Sequence, residues 1–313
     1  MPSKKTYATP LLVTFALVSA CAPIPPAGEA PAFTPATAPL ERVVEDAASL
    51  IQPDNDARRA AVIALVERAG FETRLFEFPN DGRDESDGRP AGHNVLFSIG
   101  PQGYGGAVVA GAHFDAAYLR DGTFLDGMVD NAASVVALIR VATALRDAPL
   151  NRRIDFVLFD MEEIGLVGSR HYAQSLPAGA VSAMVNLDVN AYGDTVFFGQ
   201  TDHGHATLYR SVASACATLA ATCIDFRRYP SSDHLSFQAA GIPNVSLSVL
   251  PRTEVHQLWL LVNAGPDSGL AEGLVPSVFR TIHSPGDKLD RVEPAAITLA
   301  YNLTASVLLE LAR

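Results

Sequence analysis

Two carboxylates stand side by side at Glu162 and Glu163, where the apolar run "RIDFVLFDM" stops. Neighbouring acids there could simply complement the positive end of a following helix. Two other apolar runs, however, also end in side chains that bind metals. "VVAGAHFD" ends in His113 and Asp115, and "AMVNLD" ends in Asp188. Asp130 opens the helical stretch after the first run, and His283 sits in the loop "TIHSPGDKLD". Singly, each has an ordinary role: a packed histidine, an N-cap for Asp130, a turn residue for Asp188. Together, three buried-type segments ending in imidazole or carboxylate are costly unless the charges are paired or bound to metal. Imidazole nitrogen and carboxylate oxygen are the usual partners of zinc. Five ligands exceed one tetrahedral ion, whereas two Zn2+ ions sharing one carboxylate use all five and keep a position for water. The set therefore points to two zinc ions per chain, although carboxylate-rich sites also take manganese or cobalt.

The elements that must position these residues follow from hydrophobic spacing. "DNDARRAAVIALVERAGF" has helical spacing and a glycine stop at Gly70, and "FETRLFEF" alternates like a strand. "HNVLFSIG", "GGAVVAGAHFD", "RIDFVLFDM", "VSAMVNLDV", "TVFFGQ" and "GIPNVSLSVL" read as strands. "NAASVVALIRVATAL", "GLVGSRHYAQSL" and the closing "AAITLAYNLTASVLLELA" read as helices. Helices alternating with strands apolar throughout predict a three-layer α/β/α sandwich with a mostly parallel, mixed central sheet. Such sheets place their sites at the carboxyl ends of strands, where the acids and histidines lie. No internal repeat or second core is visible, so residues 41–313 read as one domain.

The chain has 313 residues, 48% of them hydrophobic and 18% charged, as expected of a globular core. A formal charge of -11 argues against a nucleic-acid partner, which needs Lys and Arg against phosphates. Residues 1–20 combine Lys4 and Lys5 with a short apolar stretch, the pattern of a secretory signal. "VSAC" resembles the bacterial lipobox, with Cys21 as the lipidated residue; cleavage of an ordinary signal near Ala20 or Ala22 is the alternative. The expectation is an exported cell-envelope lipoprotein, or else a secreted protein, that meets the membrane only through its lipid. Residues 21–40 are rich in Pro and Ala and read as a tether. Cys216 and Cys223 could pair in an oxidising compartment. One regular helix would hold them about 10 Å apart, beyond disulfide reach, so pairing needs a break between them; the pairing stays open.

From Asn94 onward the sequence resembles the co-catalytic di-zinc aminopeptidases of the bacterial leucyl-aminopeptidase type, whose superfamily includes glutaminyl cyclases. The blocks that carry the resemblance are "GAHFD", "VDNAAS", "FDMEEIGLVGSRHY", "NLD", "SSDHLSFQAAGIPNVSLS" and "HSPGDKLDRV", in that order. It implies that His113 and Asp188 bind one zinc, Glu163 and His283 the other, and that Asp130 bridges them. Asp115 would orient the ligand histidine, Asp233 and His234 would touch the site or the substrate, and Glu162 would be the general base. On extended backbone neighbouring side chains point opposite ways, so one glutamate can hold metal while the other reaches water. The implied activity is hydrolysis of the N-terminal residue of a peptide.

The sequence departs from that pattern in places. Ala133-Ser134 replaces the frequent Ser-Gly, and Asp126 is an extra acid that could compete as a ligand. Residues 251–280 have no counterpart and read as a lid or pocket wall carrying Trp259, where specificity would reside, or as a peripheral insertion. Cyclases resembling this fold place Trp before the last histidine and Ser after the bridging-type Asp; here these positions are Ile282 and Asn131. The peptidase reading is therefore preferred to a glutaminyl cyclase. A metal-free binding protein is a third reading, opposed by the complete ligand set. His203 and His205 read as a solvated turn, and His171 as surface or satisfied core.

Overall fold

The computed structural model describes residues 33–82, 87–101, 105–200, 206–264 and 275–313. The signal segment, Cys21, His203 and His205 lie outside them. The sheet has eight strands: β1 (Arg74–Pro79), β2 (Ala91–Ile99), β3 (Ala107–His113), β4 (Ile154–Phe159), β5 (Val181–Leu187), β6 (Thr195–Gln200), β7 (Thr222–Phe226) and β8 (Asn244–Leu250). Their order is β1-β2-β4-β3-β5-β8-β6-β7. The centre, β4-β3-β5-β8, is parallel throughout, while β2 and β6 run antiparallel to its two outer members. All residues of β3 and β4 are buried, as expected for parallel strands covered on both faces.

Alternation along these strands feeds two layers. Val108, Ala110 and Ala112 of β3, with Ile154, Phe156 and Leu158 of β4, join the core beneath α3 (Ala133–Leu145) and α8 (Pro294–Ala312). Val109, Val157 and Phe159 face the other way, against Tyr172 of α4 (Val167–Ser175) and Phe237 of α6 (His234–Ala239). Helix α2 (Asn55–Arg68) starts where the Asp54 carboxylate accepts Ala57 N–H at 2.8 Å, a side-chain N-cap. The segments Met128–Leu145 and Pro294–Ala312 are long and apolar enough to cross a bilayer, yet 83% and 72% of each is buried in the domain. They are core helices.

Two expectations change. Residues 33–40 are not free tether: Ala36 N–H donates to Asn302 Oδ1, Asn302 returns a bond to Ala36 O, and Leu40 N–H donates to Thr298 Oγ1. With Phe33 edge-on to Tyr301, the described chain is already docked from Phe33 on, ahead of Glu41, because α8 offers polar side chains that satisfy an extended backbone. Residues 251–280 contain a regular helix, α7 (Arg252–Asn263), whose Val255 and Leu258 are buried. Trp259 lines a separate recess with Ile224, His256 and Leu260 and does not line the cavity at the site described below. Cys216 and Cys223 form a disulfide, with Cα atoms 6.3 Å apart. They reach each other because α5 (Ala206–Thr218) ends before β7 begins at Thr222.

Candidate metal centre

The strand ends bring the expected residues together. His113 is the last residue of β3, Asp188 follows β5, and the acid pair follows β4 across the sharp turn at Met161, whose φ is 59°. Asp130 arrives through an irregular turn, Met128–Ala132, entered at Gly127 with φ 56°. A side chain on Gly127 would meet the Asp130 carbonyl at 2.7 Å, so only glycine fits this entry. Asp130 faces both histidines: Oδ1 lies 3.0 Å from His113 Nε2 and Oδ2 lies 3.2 Å from His283 Nε2. Glu163 Oε2 is 3.0 Å from the same His283 nitrogen, and Asp188 Oδ1 is 3.8 Å from His113 Nε2. Two triads result, His113–Glu162–Asp188 and His113–Asp130–Glu163, in each of which the available donor atoms lie within 4.8 Å of one another. The two adjacent glutamates fall into different triads.

Asp115 does more than orient a histidine. His113 Nδ1 lies 3.5 Å from its carboxylate and 3.3 Å from its carbonyl, while its two oxygens accept Glu162 N–H and Glu163 N–H, each at 3.1 Å. One buried carboxylate thus fixes the imidazole and the backbone of the acid pair. Asp233 is fully buried at the start of α6, and neither of its oxygens has a hydrogen-bond partner among the described residues. His234 is buried beside Tyr229, ring centroids 5.4 Å apart, and burial pulls its pKa down to about 4.

The electrostatics are those of crowded acids. Burial, then the charges of Asp233, Glu163 and Asp188, push Glu162 well above the usual carboxylate range against the pull of His113. Burial and Asp130 push Glu163 up to about 7; burial, with Asp115 and Asp188, does the same to Asp233. Asp130 is held low: burial is outweighed by hydrogen bonds from both histidines. Burial alone would lower His113, but Glu162, Asp115, Asp130 and Asp188 raise it well above its ordinary value. Bonds to Asp130 and Glu163 carry His283 to about 11. A divalent cation relieves such repulsion. The donors fit zinc: imidazole nitrogens face carboxylate oxygens, and Asp188 Oδ1 is buried with no hydrogen-bond partner among the described residues.

Several supports were not read from the sequence. Asp287 accepts Val129 N–H at 2.6 Å and Asp130 N–H at 3.1 Å, tying the His283 loop to the Asp130 turn. Arg58 is fully buried and donates to Phe114 O, Leu50 O, Asp126 O and Gly127 O, pinning the chain on both approaches to the site. Asn131 donates to Leu187 O and accepts Val189 N–H, fixing the end of β5. Asp126 does not join the cluster; it pairs with Lys288 at 2.9 Å.

Beside Asp130, Glu162 and Asp188 opens a cavity of about 340 Å³. Phe197, Leu250, Leu258, Val262, Val278 and Ile282 make it apolar, and Tyr229 and His283 stand at its polar end. Leu258 and Val262 come from α7, so residues 251–280 supply a wall of this cavity through those two, Val278 and Phe279.

The model of peptidase family M28 matches residues 94–308. Leupeptin-inactivating enzyme 1 of Streptomyces exfoliatus is 27% identical over 237 residues, 70% of this chain and 51% of that protein. The probable lipoprotein aminopeptidase LpqL of Mycobacterium tuberculosis is 26% identical over 222 residues, 63% of this chain and 43% of that one. The chain spans about half, or less, of the length of these curated relatives. The zinc aminopeptidase BSAP of Bacillus subtilis superposes with TM-score 0.58 at 20% identity, covering 72% of this chain and 51% of that one. Glutaminyl cyclase of Porphyromonas gingivalis superposes with TM-score 0.66 at 18% identity, covering 85% and 95%. The solved structures share the fold, and the family match spans most of the chain from β2 to α8: this chain belongs to peptidase family M28.

Proposed function

We propose that the chain is a zinc-dependent aminopeptidase acting on peptides with an apolar first residue. The observation that carries this is the split of Asp130 between two imidazoles, 3.0 and 3.2 Å away, the arrangement of a carboxylate shared by two ions. His113 and Asp188 would hold one zinc, Glu163 and His283 a second, with Asp130 common to both. Zinc there would supply Lewis acidity for the scissile carbonyl and acidify a water. Glu162 takes a proton from the attacking water as its oxygen bonds to the carbonyl carbon. It returns that proton to the leaving amine as the C–N bond breaks. Glu162 lines the cavity beside Asp130 and Asp188, where both proton transfers would occur. The apolar cavity alongside receives the first side chain.

Glu162→Gln tests this: turnover of a leucyl anilide should fall by about 10²–10⁴-fold with zinc content kept. Asp130→Ala should lose zinc as well. Near-full activity in Glu162→Gln removes it as the base. A second reading, glutaminyl cyclase, is supported by the fold likeness, which extends over 95% of the cyclase above. Ile282 before His283 and Asn131 after Asp130 oppose it, and closure of N-terminal glutamine without anilide cleavage would establish it. Lipidation at Cys21 and export belong to the same proposal, supported by the Cys216–Cys223 disulfide, a bond of oxidising compartments. Mass spectrometry of the mature N-terminus checks it.

A further inference from the structure

A second cavity, of about 160 Å³, opens on the other side of the same cluster. The two cavities share His283, and the acid pair divides them: Glu162 lines the apolar one, Glu163 the other. A cleaved peptide bond has a side chain to place on each side, and the cluster has a recess on each side. The far wall of the second recess is a hairpin. Tyr118 bridges to Phe124 with ring centroids 4.8 Å apart, and Leu119 N–H donates to Thr123 O at 2.8 Å. Gly122, at φ +84°, makes the turn. The hairpin therefore holds Tyr118 and Leu119 at the recess without help from a metal.

The chemistry of the recess is anionic. Asp87, Asp115 and Glu163 line it, and apart from His283 its described lining has no basic side chain. Arg89, the guanidinium behind it, is shared among Asp87, Asp160 and, at 3.5 Å, Asp56, and the buried Arg58 offsets Asp115, so two cations face four carboxylates. Zinc would offset the carboxylates of its own cluster and leave this surplus of acids to set the sign. We propose that this recess receives the side chain of the substrate's second residue and selects against acidic residues there. The proposal rests on the aminopeptidase reading.

Leucyl-glutamine amide and leucyl-glutamate amide match in shape at that residue and differ by the charge and by an NH2 donor, and leucinamide lacks it. For the zinc-loaded enzyme, kcat/KM should favour the glutamine peptide by about fivefold to tenfold, with the ratio shrinking at high salt. Leu119→Lys, on the half-buried hairpin, should cut the ratio by at least about threefold, and Asp87→Asn should cut it too. Glu310→Gln changes net charge equally at the opposite end of the sheet, where Arg152 N–H bonds Ala312 O ahead of β4, and should leave the ratio as it was. A wild-type ratio near one, or a ratio that Leu119→Lys and Asp87→Asn leave unmoved while leucinamide is cleaved, overturns the subsite. If neither leucinamide nor either dipeptide amide is cleaved, the aminopeptidase reading fails and the subsite falls with it.

Discussion

The two halves of the cluster are built by different means. The His113 half stands on strand ends and a buried helix start: His113 is 1% exposed and Asp233 is fully buried. The His283 half depends on a loop; that imidazole is 60% exposed, and its own backbone turns left-handed at φ 52°. Glu162 groups with His113 and Asp188, Glu163 reaches His283 at 3.0 Å as well as grouping with His113, and Asp130 contacts both histidines. The fold itself fixes one half. Side-chain bonds from Asp287 hold the other.

The sharpest way to break this contrast is to remove each histidine from metal-free protein. His113→Ala leaves Asp130 and Asp188 without their buried partner and should lower unfolding free energy by about 3–5 kcal/mol. His283→Ala removes a 60%-exposed imidazole from the buried Asp130 and Glu163 and should cost less, about 1–3 kcal/mol. Denaturant unfolding measures both, and equal losses would mean that the halves are equally part of the core. A pH series sharpens the same point. Glu163, Asp233 and Asp287 are raised to about 7 in the folded chain. Between the unfolded carboxylate range and 7, the native state binds more protons, so stability falls as pH rises. His283, raised to about 11, acts in the same direction: its contribution is full below the ordinary histidine value and declines above it. Metal-free protein should therefore melt lower at pH 8 than at pH 5. Zinc should flatten or reverse that slope, because its ligands bind deprotonated. A metal-free melting temperature that rises over this interval would show that the acids are solvated and not crowded.

The buried, strand-borne part of this arrangement was also the legible part. Parallel strands are apolar throughout, so β3, β4 and β5 stand out in the sequence, and polar residues at their ends stand out against them. The exposed half gave less signal. Asp287 in "SPGDKL" reads as a turn residue, and only the folded loop shows its carboxylate under two amides of the Asp130 turn. Arg58 reads as the polar face of a surface helix, yet it is buried with four carbonyls around it. Left-handed backbone at Met161, Val189 and His283 carries no sequence mark when the residue is not glycine. The docking of residues 33–40 joins positions 266 apart, a distance at which local composition says nothing. Trp259 drew notice as a lone tryptophan, whereas its smaller neighbours Leu258 and Val262 line the cavity.

The smallest expected effect lies in the link between the halves. Asp287 is 2% exposed, and its carboxylate accepts from Val129 N–H and Asp130 N–H through separate oxygens. Asp287→Asn keeps the shape but leaves one acceptor and turns an amide donor toward a backbone donor. The Asp130 turn should loosen without unfolding, since the carboxamide can still accept one bond. Zinc affinity should fall by about tenfold, the lower end for an outer-shell partner. If two ions are held as proposed, the loss should fall more on the one at His283 than on the one at His113, because Asp287 comes from the His283 loop. Competition with a chromogenic chelator should then show two release steps in the wild type. A variant in which both steps shift equally would show that Asp287 supports the bridge itself rather than the loop that closes on it.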